Sequence, residues 1–477
     1  MTGRVLVLDV GTSALKAVLF DRAGSVVASA EAGYGPPPGP HRQSVDAWWR
    51  AARQAIAGLP RHPIEAIALT GTMENLIAVD AAGRPVHDAI LYSDPCGAAA
   101  LESLAPALLA RRAGEILGNP PEPLMSAFKL HWLQAHAPVH ARRARWFLPG
   151  AKDALLLRLT GRAVTDPVTA ATTGLMDLRN RAWSPVLIEA LSAPPDRLPA
   201  ILPAAAIVGE VTPEAAADLG FSGLSAIPVI NGCGDAGATT LGSWCREEGD
   251  VSLYLGTSGW VARVVPDREF APDPSVYRLA HPRDGLLIEI TPILSAGAAG
   301  NWVRDLLAIP AAERDALLAE ADRNPEELVF LPYLVGERFP FFDANVRAAF
   351  VGLDTAHRRE HLYYAVLEGV GLAIRANLAA LDPGGTAEIR LAGGGATSAI
   401  WPRLLADLLG RSVTVPDDPE NATALGAFLV AADALRLSVA AARSHRVVSP
   451  REDRRQRTAR LGRAFDGVTR VARQLVR

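Results

Sequence analysis

Val5-Leu-Val-Leu-Asp9, then Gly11-Thr-Ser13, then Ala17-Val-Leu-Phe20 read as strand, tight turn, strand. Apolar and β-branched residues flank a turn of small and hydroxyl-bearing residues, placed where a chain must reverse. The pattern returns far downstream. Leu253-Tyr-Leu-Gly-Thr-Ser258 matches Leu8-Asp-Val-Gly-Thr-Ser13, and the run from Val261 to Val265 supplies the following strand. A repeat at this separation points to two related domains facing one another. The copies differ at one position, Asp9 in the first and Tyr254 in the second. If both turns clamp one nucleotide, only the first can hold a metal.

Outside the repeat, alternating stretches give a mixed α/β fold. Ile64 to Thr70 and Ile77 to Val79 read as strands, and Trp48 to Ala57 and Ala151 to Leu159 as helices. Gly35-Pro-Pro-Pro-Gly-Pro40 and Pro120-Pro-Glu-Pro123 are loops, because proline cannot donate to a helix or sheet ladder. A charged, glycine-containing stretch from Trp244 to Asp250 marks the break between domains. The expected units are residues 1–246, 247–440 and an Arg-rich tail, 441–477, read as a solvated surface helix.

A chain of 477 residues, 49% apolar and 21% charged, is long enough for two large cores. Its formal charge of -3 argues against a nucleic-acid surface. Lys16, Lys129 and Lys152 are the three lysines among 48 basic residues. Cys96, Cys233 and Cys245 form no paired spacing, so neither a disulfide framework nor structural zinc is expected. The apolar run at Val5 ends at Asp9, too soon for a signal peptide, and no stretch approaches the ~20 apolar residues of a membrane span. A cytoplasmic protein with no membrane partner is expected.

Three segments could carry chemistry. No Walker A sequence is present, although Gly232-Cys-Gly234-Asp-Ala-Gly237 matches a dinucleotide-binding pattern. There Asp235 would set a carboxylate beside a pyrophosphate that needs backbone donors. A carboxylate in a glycine-rich turn at a strand end can instead take a proton from a substrate hydroxyl during phosphoryl transfer; the alternative is a turn Asp bonding its own backbone. In Asp9-Val-Gly-Thr-Ser13 an acid, a glycine and two hydroxyls could hold Mg²⁺ and phosphate, or form a plain hairpin turn. Ile389-Arg-Leu-Ala-Gly-Gly-Gly395-Ala-Thr-Ser398 reads as a strand and a glycine cluster opening a helix from Trp401 to Leu409. Bare backbone there would let an adenosine or phosphate lie close.

Taken in order, these segments resemble the FGGY carbohydrate kinases over nearly the whole chain. Asp9-Val-Gly-Thr-Ser-Ala-Leu-Lys16 resembles the first phosphate motif, Asn231-Gly-Cys-Gly-Asp235 the loop of the catalytic Asp, and Leu255-Gly-Thr-Ser258 the second phosphate turn. Leu331-Pro-Tyr-Leu-Val-Gly-Glu-Arg338, Leu367-Glu-Gly369 and Gly393 to Ser398, with Trp401 and Asp407, are similar to further signatures of the family. The resemblance implies two actin-like, ribonuclease-H-like domains, duplicated around a nucleotide and substrate cleft. It implies ATP and Mg²⁺ as cofactors, Asp235 as general base, and Asp9 and Asp235 at the metal. Gly11, Thr12, Ser13, Lys16, Gly256 and Thr257 would meet the phosphates. Gly297 resembles a backbone contact to the nucleotide, and Gly394, Gly395 and Ser398 would line its base and ribose. A homodimer is among the expectations.

Met73 and Glu74 occupy the substrate loop, Gly71-Thr-Met-Glu-Asn75, where the xylulose kinase pattern has Met-His. That family's Trp-Asn-Asp, with Arg soon after, appears here as Tyr92-Ser-Asp94-Pro-Cys96. The scaffold is closest to the pentulose kinases, and the sugar-reading positions differ. A carboxylate at position 74 accepts two hydrogen bonds side by side, which suits a vicinal diol and repels a sugar acid. A small neutral ketose or polyol other than xylulose is therefore expected. Two readings of other classes compete: a non-catalytic sugar or nucleotide sensor, against which both acids argue, and an actin-like ATPase clamp, which would lack the Met73 loop and Gly336-Glu-Arg338.

Overall fold

The computed structural model describes residues 3–220, 226–267, 276–341, 343–439 and 445–475. The opening hairpin forms: β1 (Arg4–Val10) pairs antiparallel with β2 (Ala14–Phe20), setting Asp9 opposite Lys16. Val5 and Val7 pack into one apolar cluster and Leu6, Leu8 and Val10 into another. Burial on both faces explains an apolar run without alternation.

The first domain continues with β3 (Val26–Gly33), α1 (Val45–Ala57), β4 (Ile64–Gly71), α2 (Ser126–His136) and α3 (Ala151–Thr160). It closes with β5 (Ile207–Glu210), β6 (Pro228–Gly234) and α4 (Asp235–Gly242). Six strands form one sheet in the order β5-β6-β4-β1-β2-β3. Strands β6, β4 and β1 are parallel and the outer pairings antiparallel.

The second domain repeats this plan. Its elements are β7 (Val251–Leu255), β8 (Gly259–Pro266), β9 (Tyr277–Ala280), β10 (Leu286–Ile293), α5 (Gly297–Leu306) and α6 (Arg359–Leu381). After them come β11 (Ile389–Ala392), α7 (Trp401–Leu409), β12 (Val413–Pro416), α8 (Ala422–Ala434), β13 (His445–Val448) and α9 (Arg455–Leu475). The sheet order is β9-β10-β8-β7-β11-β12-β13, with β7, β11 and β12 parallel. Laid on the first sheet, β7 matches β1, β11 matches β4 and β12 matches β6. Strand β9 has no counterpart. This is the duplicated ribonuclease-H-like architecture that the resemblance implies.

Helices α4 and α8 follow the equivalent strands β6 and β12 and pack directly on each other across the domain boundary. Their backbones approach so closely that a Cβ on Gly426 would stand 1.8 Å from the Ala238 carbonyl oxygen, and one on Gly242 1.8 Å from that of Ala422. The hydroxyls of Thr239 and Thr423 are 2.8 Å apart in the same seam.

Two expectations need correction. Helix α6 is long and apolar enough to cross a membrane by length and composition, although no such stretch was anticipated; it lies mostly buried in the second core, with Glu368 inside it. The tail does form a helix, α9, but not a merely solvated one. Leu461 and Phe465 enter the core, Arg457 pairs with buried Glu368, and Arg451 bridges Asp322 and Asp407 at 2.7 and 2.6 Å. Strand β13, within the expected tail, completes the second sheet. The expected boundary at 440/441 falls outside the described residues.

Candidate active site

Strand β1, which carries Asp9, and strand β6, which ends immediately before Asp235, flank β4 in the first sheet. Asp9 is the penultimate residue of β1. Asp235 does not sit in a glycine-rich turn as expected, because β6 runs on through Gly234 and Asp235 is the first residue of α4. The glycines serve close approach. A Cβ on Gly234 would stand 1.9 Å from Met73 Sδ, so Met73 of the Gly71–Asn75 loop lies directly against the strand that leads into Asp235. The Asp235 carboxylate accepts from the Ala236 backbone N–H at 2.8 Å.

The acids feel each other. Burial, and then the charge of Asp9, push Asp235 up to about 7. Burial likewise carries Asp9 to about 6, against the pull of Lys16. Two partly enclosed carboxylates that repel one another want a proton or a cation between them. No group of three or more His, Cys, Asp or Glu residues placed to hold a metal ion is found among the described residues. Two acids suit Mg²⁺, which keeps several waters and takes its other ligands from phosphates.

Thr12 and Ser13 are exposed at the first turn, where the Gly11 N–H donates to the Ala14 carbonyl at 3.1 Å. Lys16 reaches across to the second domain and donates to Asn421 Oδ1 at 2.5 Å. Thr257 is exposed at the second turn, where Tyr254 stacks on Trp260 with ring centroids 4.1 Å apart. The N–H groups of Gly297 and Ala298 donate to the carbonyls of Gly256 and Thr257, both at 2.9 Å. Gly297 thus seats α5 on the turn, and its N–H is already engaged. Gly394 is exposed in a short 3-10 turn after β11, with open space where a side chain would be. Ser398 Oγ accepts from the N–H groups of Ile400 and Trp401 at 3.2 Å each, which caps α7.

Glu74 adopts a left-handed backbone, φ 58°, and makes no ion pair among the described residues. Burial outweighs the pull of Lys129 and Arg338 and, with the charge of Glu122, pushes its carboxyl up to about 7. Lys129 is buried and donates to the Glu74 backbone carbonyl. Arg338, from the second domain, pairs with Glu122 of the first. Tyr92 approaches Thr12 hydroxyl to hydroxyl at 3.4 Å. Asp94 pairs with Arg42 and caps the Cys96 N–H at 2.8 Å.

One part of the site was not legible as such. Lys152 is fully buried and donates to Asp153 at 2.7 Å and to Asn231 at 3.1 Å, with Asp166 at 3.1 Å. Asp166 in turn accepts from the N–H groups of Val168 and Thr169, and Thr169 lies against Gly234. This network braces β6 just before Asp235. Its one sequence signal was a lysine in a chain that otherwise uses arginine.

With this geometry in view, the family comparisons are direct. The N-terminal domain model of the FGGY family of carbohydrate kinases matches residues 4–242, and the C-terminal domain model matches residues 252–435. The chain is 32% identical to the xylulose kinase of Escherichia coli (strain K12) over 439 residues, 89% of this chain and 88% of the relative. Among solved structures it is similar to the xylulose kinase of Lactobacillus acidophilus, with a TM-score of 0.87, 25% identity and 98% of each chain covered. The gluconate kinase of the same organism is as similar, with a TM-score of 0.88, 25% identity, and 99% of this chain and 98% of that one covered. Kinases named for a ketose and for a sugar acid match this fold equally well, so overall likeness does not choose the substrate. Both domain models, in order and across nearly the whole chain, make this protein a carbohydrate kinase of the FGGY family.

Proposed function

We propose that the enzyme transfers the γ-phosphoryl group of ATP to a hydroxyl of a small neutral ketose or polyol, with Asp235 as general base. The observation that carries this is Asp235 at the first turn of α4, held near 7 beside Asp9 and against the Met73 loop. A base poised near neutral pH accepts a proton while remaining available for it. Asp235 takes the proton of the acceptor hydroxyl as that oxygen bonds to the γ-phosphorus; the bond to the bridging β,γ-oxygen breaks and ADP leaves. Asp9 and Asp235 would hold Mg²⁺, whose charge offsets that of the phosphates.

Gly11, Thr12, Ser13, Gly256 and Thr257 form the two turns that face the phosphates in this reading, with Lys16 on β2 beside them. Gly394 leaves backbone open for the base and ribose, while Gly395 lets the turn pack on Trp401 and Leu255, with Ser398 shaping the turn and Gly297 the floor. Glu74 would accept from two sugar hydroxyls. Its carboxylate is the reason a sugar acid is disfavoured: Lys129 and Arg338 are already balanced by Glu74 and Glu122. In this reading the functional halves are residues 1–246 and the domain that begins at 247 and takes in the tail strand and helix, in a cytoplasmic enzyme.

The test is a coupled kinase assay over ketoses, polyols and sugar acids. Asp235→Asn is expected to lose about 10²–10⁴-fold in kcat with ATP affinity little changed. Glu74→Ala should raise KM for the best substrate more than it lowers kcat. Near-normal turnover in Asp235→Asn, or best activity on a sugar acid, would overturn the proposal.

A further inference from the structure

The second sheet departs from the first by one strand, and that strand reaches the first domain. Strand β9 lies at the sheet edge, antiparallel to β10, and begins at Tyr277. It is fastened to the first domain. The Arg278 N–H donates to Asn119 Oδ1 at 2.6 Å, and the Asn119 amide donates back to the Arg278 carbonyl at 2.7 Å. Two residues beyond Asn119, Pro121 leads into Glu122, which pairs with Arg338. The Tyr277 ring packs against the first domain's apolar cluster that includes Met125 and Phe128.

The Tyr277 hydroxyl is sealed from solvent and has no hydrogen-bond partner among the described residues. The charged groups that face it are Glu74, Glu122 and Arg338. Glu122 is engaged by Arg338, whereas Glu74 makes no ion pair among the described residues. Tyr277 Oη, a donor without an acceptor, therefore stands near the Glu74 carboxylate, which feels the charge of Lys129 but forms no ion pair among the described residues. A buried hydroxyl left unpaired is costly. One ligand hydroxyl can satisfy both groups by donating to Glu74 and accepting from Tyr277.

We propose that Tyr277 is a specificity-determining residue contributed by the second domain, whose hydroxyl donates to a substrate hydroxyl remote from the one phosphorylated. This rests on the reading of the site as a sugar kinase. Met73 lies against Gly234 and Glu74 follows it, so in this proposal the substrate runs from Asp235 past Met73 toward Glu74 and Tyr277. A three-carbon substrate held at Asp235 ends before reaching Tyr277; a five- or six-carbon ketose or polyol reaches it. The extra strand thereby makes the second domain a reader of substrate length.

The experiment uses full-length enzyme with glycerol, dihydroxyacetone, erythrulose, D-ribulose, D-xylulose, ribitol, D-fructose and sorbitol as probes. Tyr277→Phe removes one oxygen and keeps the ring that packs against the first domain. Its KM for the best five- or six-carbon substrate is expected to rise about 3- to 10-fold. Turnover of that substrate, KM for ATP and any activity on three-carbon substrates should stay within about twofold. A second readout needs no catalysis: the rise in melting temperature on adding the best sugar without ATP should shrink in Tyr277→Phe. An unchanged profile, an equal effect at every chain length, or a wild-type preference for three-carbon substrates overturns the inference. If the wild type phosphorylates no sugar at all, the sugar-kinase reading fails first and this inference falls with it.

Discussion

Gly426→Ala, a methyl group added in the second domain, should disable an acid in the first. The new Cβ would stand 1.8 Å from the Ala238 carbonyl oxygen, where real Cβ contacts are essentially never under 3.0 Å. Helices α4 and α8 must therefore part by roughly 1.2 Å, since both sides of the contact are helix backbone and neither can rotate away. Helix α4 carries Asp235 at its first residue, three residues before the clash. A misplacement of about 1 Å at a reacting group can cost about 10²-fold in rate, so kcat is expected to fall roughly 10- to 100-fold. Overpacking of this kind also costs about 1–3 kcal/mol of stability. Gly467→Ala is the control: it adds the same methyl in α9 with nothing within 4 Å. That change should leave kcat alone and stabilise by about 0.5–1 kcal/mol, because alanine is the better helix former. Steady-state kinetics with thermal unfolding of both variants decide the matter. A Gly426→Ala enzyme with wild-type kcat and melting temperature would refute the argument from close packing.

Burial raises Asp9 to about 6 and Asp235 to about 7, so between about pH 4 and pH 7 the native state binds more protons than the unfolded chain. Stability of the metal-free enzyme should fall as pH rises through that window, and kcat/KM should rise with pH up to about 7. Melting curves against pH for wild type and Asp235→Asn test this, since the slope should flatten in the variant. Asp9→Ala should abolish Mg²⁺-dependent activity, while Tyr254→Phe, at the matching place in β7, keeps its stack on Trp260 and loses little; equal damage in the two would refute that division of labour. Arg457→Met strands the buried Glu368 carboxylate and should cost about 3–5 kcal/mol in a denaturant titration.

The two Gly-Thr-Ser turns, their hairpins and the acid-for-tyrosine difference were all legible in the residues, because a hairpin is local: strand propensity and turn chemistry lie within some fifteen residues. Helix α7 was read from Trp401 to Leu409 for the same reason. Asp235 was picked out, but its setting was not, because whether a glycine run is a turn or the end of a strand depends on what lies beside it. Here Leu69 and Met73, far away in sequence, hold Gly232 and Gly234 in β6. The Arg-rich tail read as solvated because charge alone cannot show that Arg457 meets a glutamate 89 residues earlier. The same holds for Lys152, whose meaning lies in its meeting with Asp166 and Asn231. Local pattern determines which elements form. Which carboxylates share a cleft, which lysine braces the strand beneath one of them, and which tyrosine from the extra strand faces the sugar loop depend on long-range packing, where partners tens to hundreds of residues apart set burial and charge together.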